Sequence, residues 1–173
     1  MKKKNTKLLL MTGVLALLII AYIVVGKISE SERLGLQIDI YSVDKESVTE
    51  MEWTFSSKVY TLTKENGIWY WADDKSLSID QNKAEKMLDE FVNLKASAVF
   101  DASEKTDYNL AEDNKRIVKL TDSFGNEYPI TIGGYVNTTE EFYILTNDTS
   151  KVYTIGNDFV SAFSIKADDI VKS

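Results

Sequence analysis

The chain of 173 residues contains neither histidine nor cysteine. Histidine is the commonest general base and the commonest zinc ligand. Its absence excludes serine-histidine and cysteine-histidine triads and histidine-based zinc sites. Without cysteine there is no disulfide staple and no acylated residue for a lipoprotein anchor, so stability must come from an apolar core. Clustered positive charge is also scarce past the first seven residues. Setting aside the four N-terminal lysines leaves 16 Lys+Arg against 27 Asp+Glu, a formal charge of −11. The largest basic group, Lys115-Arg116 with Lys119, is too small for a phosphate-backbone footprint, and nucleic acid is not an expected partner. Gly133-Gly134 lacks the further glycine and the lysine of a phosphate-cradling loop and reads as a bend.

What the sequence does contain is one long apolar run. Leu8 to Val25 carries no charge and follows Lys2, Lys3, Lys4 and Lys7. About 18 apolar residues, rising about 1.5 Å each, suffice to cross the bilayer's hydrocarbon core. Behind the run, Lys27 and Arg33 are offset by Glu30 and Glu32, so the positive-inside bias puts the N-terminus in the cytoplasm. A cleaved signal peptide would have a shorter apolar region and small residues at its exit. Here the exit is Tyr-Ile-Val-Val-Gly, which favours a retained signal anchor. The expected organisation is a cytoplasmic basic tail over residues 1–7, a transmembrane helix over 8–26, a stalk over 27–36 and an extracytoplasmic domain over 37–173. The protein is thus expected in the cell membrane as a single-pass protein.

The exported part has the length of one ordinary domain. Strands are expected at Gln37 to Tyr41 and Val48 to Phe55, with the Asp44-Lys45-Glu46 turn between them. Val59 to Thr63 and Ile68 to Trp71 form a hairpin about Glu65-Asn66-Gly67, whose glycine can take positive φ. Asp80 caps a helix to about Leu94, in which Ala84, Met87, Leu88, Phe91 and Val92 fall on one face. A short strand from Ser97 to Phe100 closes this half. A polar connection follows from Asp101 to Lys115, pinned by Tyr108 and Leu110. Two further hairpins are expected, Arg116 to Thr121 with Glu127 to Ile132, and Phe142 to Thr146 with Lys151 to Ile155. A last helix begins at Asn157, whose side chain caps it, and runs through Phe159, Val160 and Phe163. The fold class is α+β, mainly antiparallel sheet in two similar halves, each with strands followed by a helix. Lys58 to Leu62 and Lys151 to Ile155 nearly repeat each other, which hints at duplication.

This order of elements resembles a family of bacterial envelope proteins defined as an uncharacterised domain, often encoded beside gliding-motility-type ABC transporter components. The resemblance spans Val48 to Ser164. It rests on Lys64-Glu65-Asn66-Gly67-Ile68-Trp69, on the Asp80-led helix ending in Leu94-Lys95-Ala96, on Tyr108-Asn109-Leu110, on Ile130-Thr131-Ile132-Gly133, and on Phe142-Tyr143-Ile144 with Lys151 to Ile155. Where the family has a glycine between the tyrosine and the leucine, this chain has Asn109, which also tolerates the left-handed conformation. Where a proline follows in the family, Ala111 to Asn114 stand here. The resemblance implies envelope location and association with an ABC-type transporter, and it carries no active site.

Candidate sites are few. Trp69-Tyr70-Trp71 is the most conspicuous aromatic run. On a strand the tryptophans face one way and the tyrosine the other, so one face is core and the exposed member offers a platform to a partner or a cell-wall glycan. Asp73-Asp74, Glu140-Glu141 and Asp168-Asp169 are the pairs on which a carboxylate-based hydrolase would draw. An acidic excess more commonly forms a solvated surface. Asn147-Asp148 reads as a turn rather than a calcium loop. The sequence therefore leads to a non-catalytic binding or scaffold protein without cofactor or metal, whose partners are the membrane and an envelope protein. A peptidoglycan-binding module is the alternative, and a hydrolase a distant one.

Overall fold

The computed structural model describes residues 37–102, 108–110 and 116–172. The expected tail, anchor and stalk over residues 1–36 lie outside it, as does most of the polar connection between Asp101 and Lys115. Among the described residues no helix is long and apolar enough to cross a membrane.

The strands are β1 (Ile38–Asp39), β2 (Val48–Phe55), β3 (Lys58–Glu65), β4 (Ile68–Trp71), β5 (Lys95–Ala96), β6 (Ala98–Asp101), β7 (Arg116–Asp122), β8 (Glu127–Val136), β9 (Glu141–Leu145) and β10 (Lys151–Ile155). The α-helices are α1 (Gln81–Val92), α2 (Asn157–Ala162) and α3 (Ala167–Ile170). Eight strands form one sheet in the order β4-β3-β2-β7-β8-β9-β10-β6, and β1 pairs separately with β5. Every neighbouring pair is antiparallel. The molecule is thus mainly antiparallel sheet with a few helices, as composition and rhythm implied.

Local chemistry explains most of the elements. Two two-residue turns frame β3. Asn66 and Gly67 take φ of 52° and 80°, and Ser56 and Ser57 take 50° and 62°. Two consecutive positive φ values match the right-handed twist of the strands they join. Asn-Gly advertises such a turn in sequence, whereas Ser-Ser does not. Asp80 caps α1 by accepting from the N–H groups of Asn82 and Lys83, satisfying donors that have no partner within the helix. The Asp44-Lys45-Glu46 turn is a short 3-10 turn over Lys45–Ser47, capped by Asp44.

The core lies between one face of the sheet and the helices. Helix α1 contributes Ala84, Met87, Leu88 and Phe91, and α2 contributes Phe159 and Val160. The rings of Phe91, Phe159 and Phe163 meet at centroid separations of 5.0–6.5 Å. Trp53 is completely buried at the middle of the sheet. It stacks on Tyr60 at 5.4 Å, lies 5.8 Å from Trp71, and donates its indole N–H to the Ile165 carbonyl at 3.1 Å. A smaller cluster of Leu110, Leu145 and Val152 occupies the opposite face of the sheet. It is roofed by Tyr108–Leu110, so Tyr108 and Leu110 are the anchors the sequence indicates. Asn109 between them has φ of 53°, the conformation expected where the resembled family carries glycine. Gly133 makes this seat possible: a Cβ there would lie 2.5 Å from the Tyr108 carbonyl oxygen and 2.9 Å from the Leu110 side chain. The expected bend at Gly133-Gly134 is a bulge within β8, where the register with β9 shifts.

Several expectations are corrected. The strand at 97–100 does not close the first half. Strand β6 crosses to the far edge and pairs with β10, Tyr153 opposite Val99. The first strand shrinks to two residues, because only Ile38 and Asp39 find partners. Asn157 does not cap α2; Gly156 holds the N-cap position with no side-chain bond. Helix α3 has only four residues, too few to show a period, and is held by the completely buried Ile170. The two halves are unequal, with the three-stranded meander β2 to β4 before α1 and the four-stranded meander β7 to β10 before α2. The pentapeptide echo does not relate equivalent strands, since β3 is second in its meander and β10 is last. Their surroundings differ as well: both valines lie on the face away from the helices, but Val59 is 56% exposed whereas Val152 is fully buried in the cluster with Leu110 and Leu145.

Candidate functional site

The aromatic run Trp69-Tyr70-Trp71 lies on β4, at one edge of the sheet. The two tryptophans share a face as strand geometry requires, but that face is the core: Trp69 is 1% exposed and Trp71 6%. Neither is available as a platform, because both are needed to fill the space under α1. Tyr70 alone is turned to the other face, where it is half-buried. Its cross-strand neighbour is Thr63, which in turn stands opposite Glu50 on β2.

Around Trp69 the chain builds its densest polar arrangement. The indole N–H of Trp69 donates to Glu85 Oε1 at 2.8 Å. Lys64 Nζ lies 2.9 Å from the same carboxylate and 5.2 Å from the centroid of the Trp69 ring, and Lys45 Nζ lies 3.1 Å from Oε2. Glu85 thereby ties α1 to β3, to β4 and to the 3-10 turn. Burial opposes the charge of Glu85, but the hydrogen bonds from Lys64, Trp69 and Lys45 outweigh it and hold its carboxyl below the usual value. Gln81, one helical turn earlier, accepts from the Trp69 N–H at 2.8 Å and donates to the Trp69 carbonyl at 2.9 Å. Sequence reading missed this constellation. Its signal was the polar face of α1, which looks like an ordinary solvated face until the hairpin is folded beneath it.

The paired carboxylates do not converge. Asp74 accepts from the Ser76 N–H and hydroxyl in a local turn, Glu141 accepts from the Ser97 hydroxyl, and Asp169 accepts from the Lys166 backbone N–H at the start of α3. Asp148 organises its turn through Ser150, as expected for Asn147-Asp148. Among the described residues the most enclosed carboxylate is Asp122, 6% exposed. It accepts from the N–H groups of Phe124 and Asn126, the Asn126 side-chain amide and the Tyr128 hydroxyl, all at 2.8–2.9 Å. The Asn126 amide leads the interactions that lower its pKa. Asp74, Glu85, Asp122 and Asp148 are all displaced downward. A general acid in glycoside hydrolysis needs the opposite displacement. Among the described residues no group of three or more acidic side chains is placed to hold a metal ion.

With this geometry in view, the comparisons with known proteins are narrow. A model of a domain of unknown function (DUF4340) matches residues 36–113. No curated protein and no solved structure matches the chain. The match covers β1 through β6 and the Tyr108–Leu110 seat but stops before β7, short of the Val48 to Ser164 span of the sequence resemblance. The matched stretch is not a self-contained sheet. Strand β2 pairs with β7, and β6 reaches the sheet only through β10. The segment outside the match therefore completes its fold.

Proposed function

We propose that this chain is a membrane-anchored, extracytoplasmic binding or scaffold protein of the bacterial envelope, without catalytic activity, serving as an accessory to an ABC-type transporter. The anchor and its orientation rest on the uncharged run Leu8 to Val25 behind four lysines. The transporter association rests on the family resemblance. The single observation that carries the non-catalytic reading is the way the polar groups are used: Glu85, Asp122, Asp74, Asp148 and Asp169 all organise turns, caps or the helix-to-hairpin contact. Such a molecule presents a shaped surface rather than a reacting group. Within the run Trp69-Tyr70-Trp71, Tyr70, on the face away from the helices, is the member that supports a wall-glycan reading.

In-cell crosslinking of the full-length tagged protein, followed by mild-detergent capture, tests the reading, with an anchor-swapped version as control. Recovery of the same transporter subunit with both versions is the expected result. Recovery of wall fragments alone, lost in Tyr70→Ala, would replace the scaffold reading with the glycan one. Turnover of a wall or peptide substrate that disappears on replacing an acidic pair would contradict both.

A further inference from the structure

The two edges of the eight-stranded sheet are treated differently. At the β4 edge the Gln81 side chain occupies both the N–H and the carbonyl of Trp69, as a neighbouring strand would. At the other edge stands β6. Lys151 opposes Asp101 and Phe100 opposes Val152 in its pairing with β10, and Ala102 donates to the Ser150 carbonyl at 2.9 Å. That register turns the backbone groups of Ala98 and Phe100 toward β10 and those of Val99 and Asp101 away from it. Among the described residues no strand pairs with the outward side. Natural proteins blunt such edges with lysine, proline or a covering element. Ala98-Val99-Phe100-Asp101 contains neither residue, and Val99 and Phe100 are each 43% exposed.

We propose that the open edge of β6 is a strand-addition site for an extended, positively charged segment of a partner protein. The proposal rests on the binding reading above and gives it a surface. Main-chain bonds to Val99 and Asp101 supply the ladder, and the side chains of Val99 and Phe100 supply apolar contact on its two faces. The chain takes a strand only two residues earlier, where β1 pairs with Lys95–Ala96. Charge selects the partner. The chain carries −7 overall, and the Asp101 side chain is 87% exposed even while paired with Lys151. A basic segment is attracted to this edge, whereas a second copy of the same acidic chain is repelled.

The test uses the full-length protein in detergent, labelled for amide NMR, with a short peptide of alternating lysine and valine as probe. Binding is expected to shift the Val99 and Asp101 amides and slow their exchange about tenfold, by closing the local opening that exchange requires. A glutamate-valine peptide and a backbone N-methylated lysine-valine peptide are expected to do neither. Val99→Pro removes an N–H that faces away from β10, so it is expected to abolish the effect while the rest of the spectrum persists. No perturbation at these two amides would overturn the proposal. So would protection already present in the dilute free chain, or protection that grows with protein concentration alone, which would make a second copy the occupant. Failure of the peptide leaves the crosslinking result untouched, and failure of crosslinking leaves the peptide result untouched, so the two readings fall separately.

Discussion

Gln81 stands in for a missing strand beside Trp69, bonding its N–H and its carbonyl with one side-chain amide at 2.8 and 2.9 Å. Gln81→Ala removes both bonds and leaves two backbone groups beside a buried tryptophan without partners. The expected loss is about 1–3 kcal/mol, the range for stranding buried polar groups. Gln81→Glu is expected to fall between, because a carboxylate still accepts from the N–H but repels the carbonyl. Chemical denaturation followed by tryptophan fluorescence measures all three proteins.

Trp53 and Trp71 lie 5.8 Å apart in the same core, yet their indole N–H groups differ. That of Trp53 donates to the Ile165 carbonyl, whereas that of Trp71 is buried without a partner among the described residues. Trp53→Phe is therefore expected to cost more than its volume change alone, by about 1 kcal/mol for the lost bond and the stranded carbonyl. Trp71→Phe deletes a donor that gains nothing and is expected to be markedly milder. Equal losses in the two variants would show that volume, not hydrogen bonding, decides.

How much was legible follows from where the information lies along the chain. Helix α1 was readable because its apolar period and its Asp80 cap are local, and the Asn66-Gly67 hairpin because its turn residues are explicit. The placement of β6 was not, since nothing in Ala98-Val99-Phe100-Asp101 says which of the neighbouring strands it joins. The echo of Lys58 to Leu62 in Lys151 to Ile155 misleads for the same reason: identical alternation cannot say which strands lie alongside or what covers a face, and Val59 is exposed where Val152, on the same face, is buried under Leu110. In the candidate site, Trp69 and Trp71 were correctly assigned to one face. Their burial depended on α1 lying over them, and the Glu85 and Gln81 contacts appeared only with that packing.

Gly133 and Gly134 are adjacent but not equivalent. An added Cβ at Gly133 would meet the Tyr108 carbonyl at 2.5 Å, whereas at Gly134 the closest atom is Asn109 Cβ at 3.3 Å. Gly133→Ala is expected to lift Tyr108–Leu110 off the sheet, with a loss of about 1–3 kcal/mol typical of overpacking and faster proteolysis between Asp101 and Arg116. Gly134→Ala is expected to be much milder. Comparable proteolysis of the two variants would refute this role for Gly133.

Stability is expected to fall in acid through Glu85 and Asp122. Both have folded-state pKa values below their ordinary ones, so each contributes stability that is fully present above the unfolded value of about 4. That contribution is lost as pH drops through the lower folded value. Denaturant midpoints measured from neutral pH downward are expected to decline below about pH 5, and to decline less steeply in Glu85→Gln and Asp122→Asn, whose stability is already lower at neutral pH. Parallel curves for wild type and both variants would exclude these carboxylates as the acid-sensitive groups.

The absence of cysteine from the chain makes the central claim, an acidic domain held outside the cell membrane by an N-terminal anchor, directly measurable with single introduced thiols. Phe124 is 84% exposed at a hairpin tip, and Lys3 belongs to the basic tail. In intact cells a membrane-impermeant maleimide is expected to label Phe124→Cys in the membrane fraction and to reach Lys3→Cys only after permeabilisation. Labelling of Lys3→Cys alone in intact cells would invert the topology, and a Phe124→Cys protein found unlabelled in the soluble fraction would contradict the account.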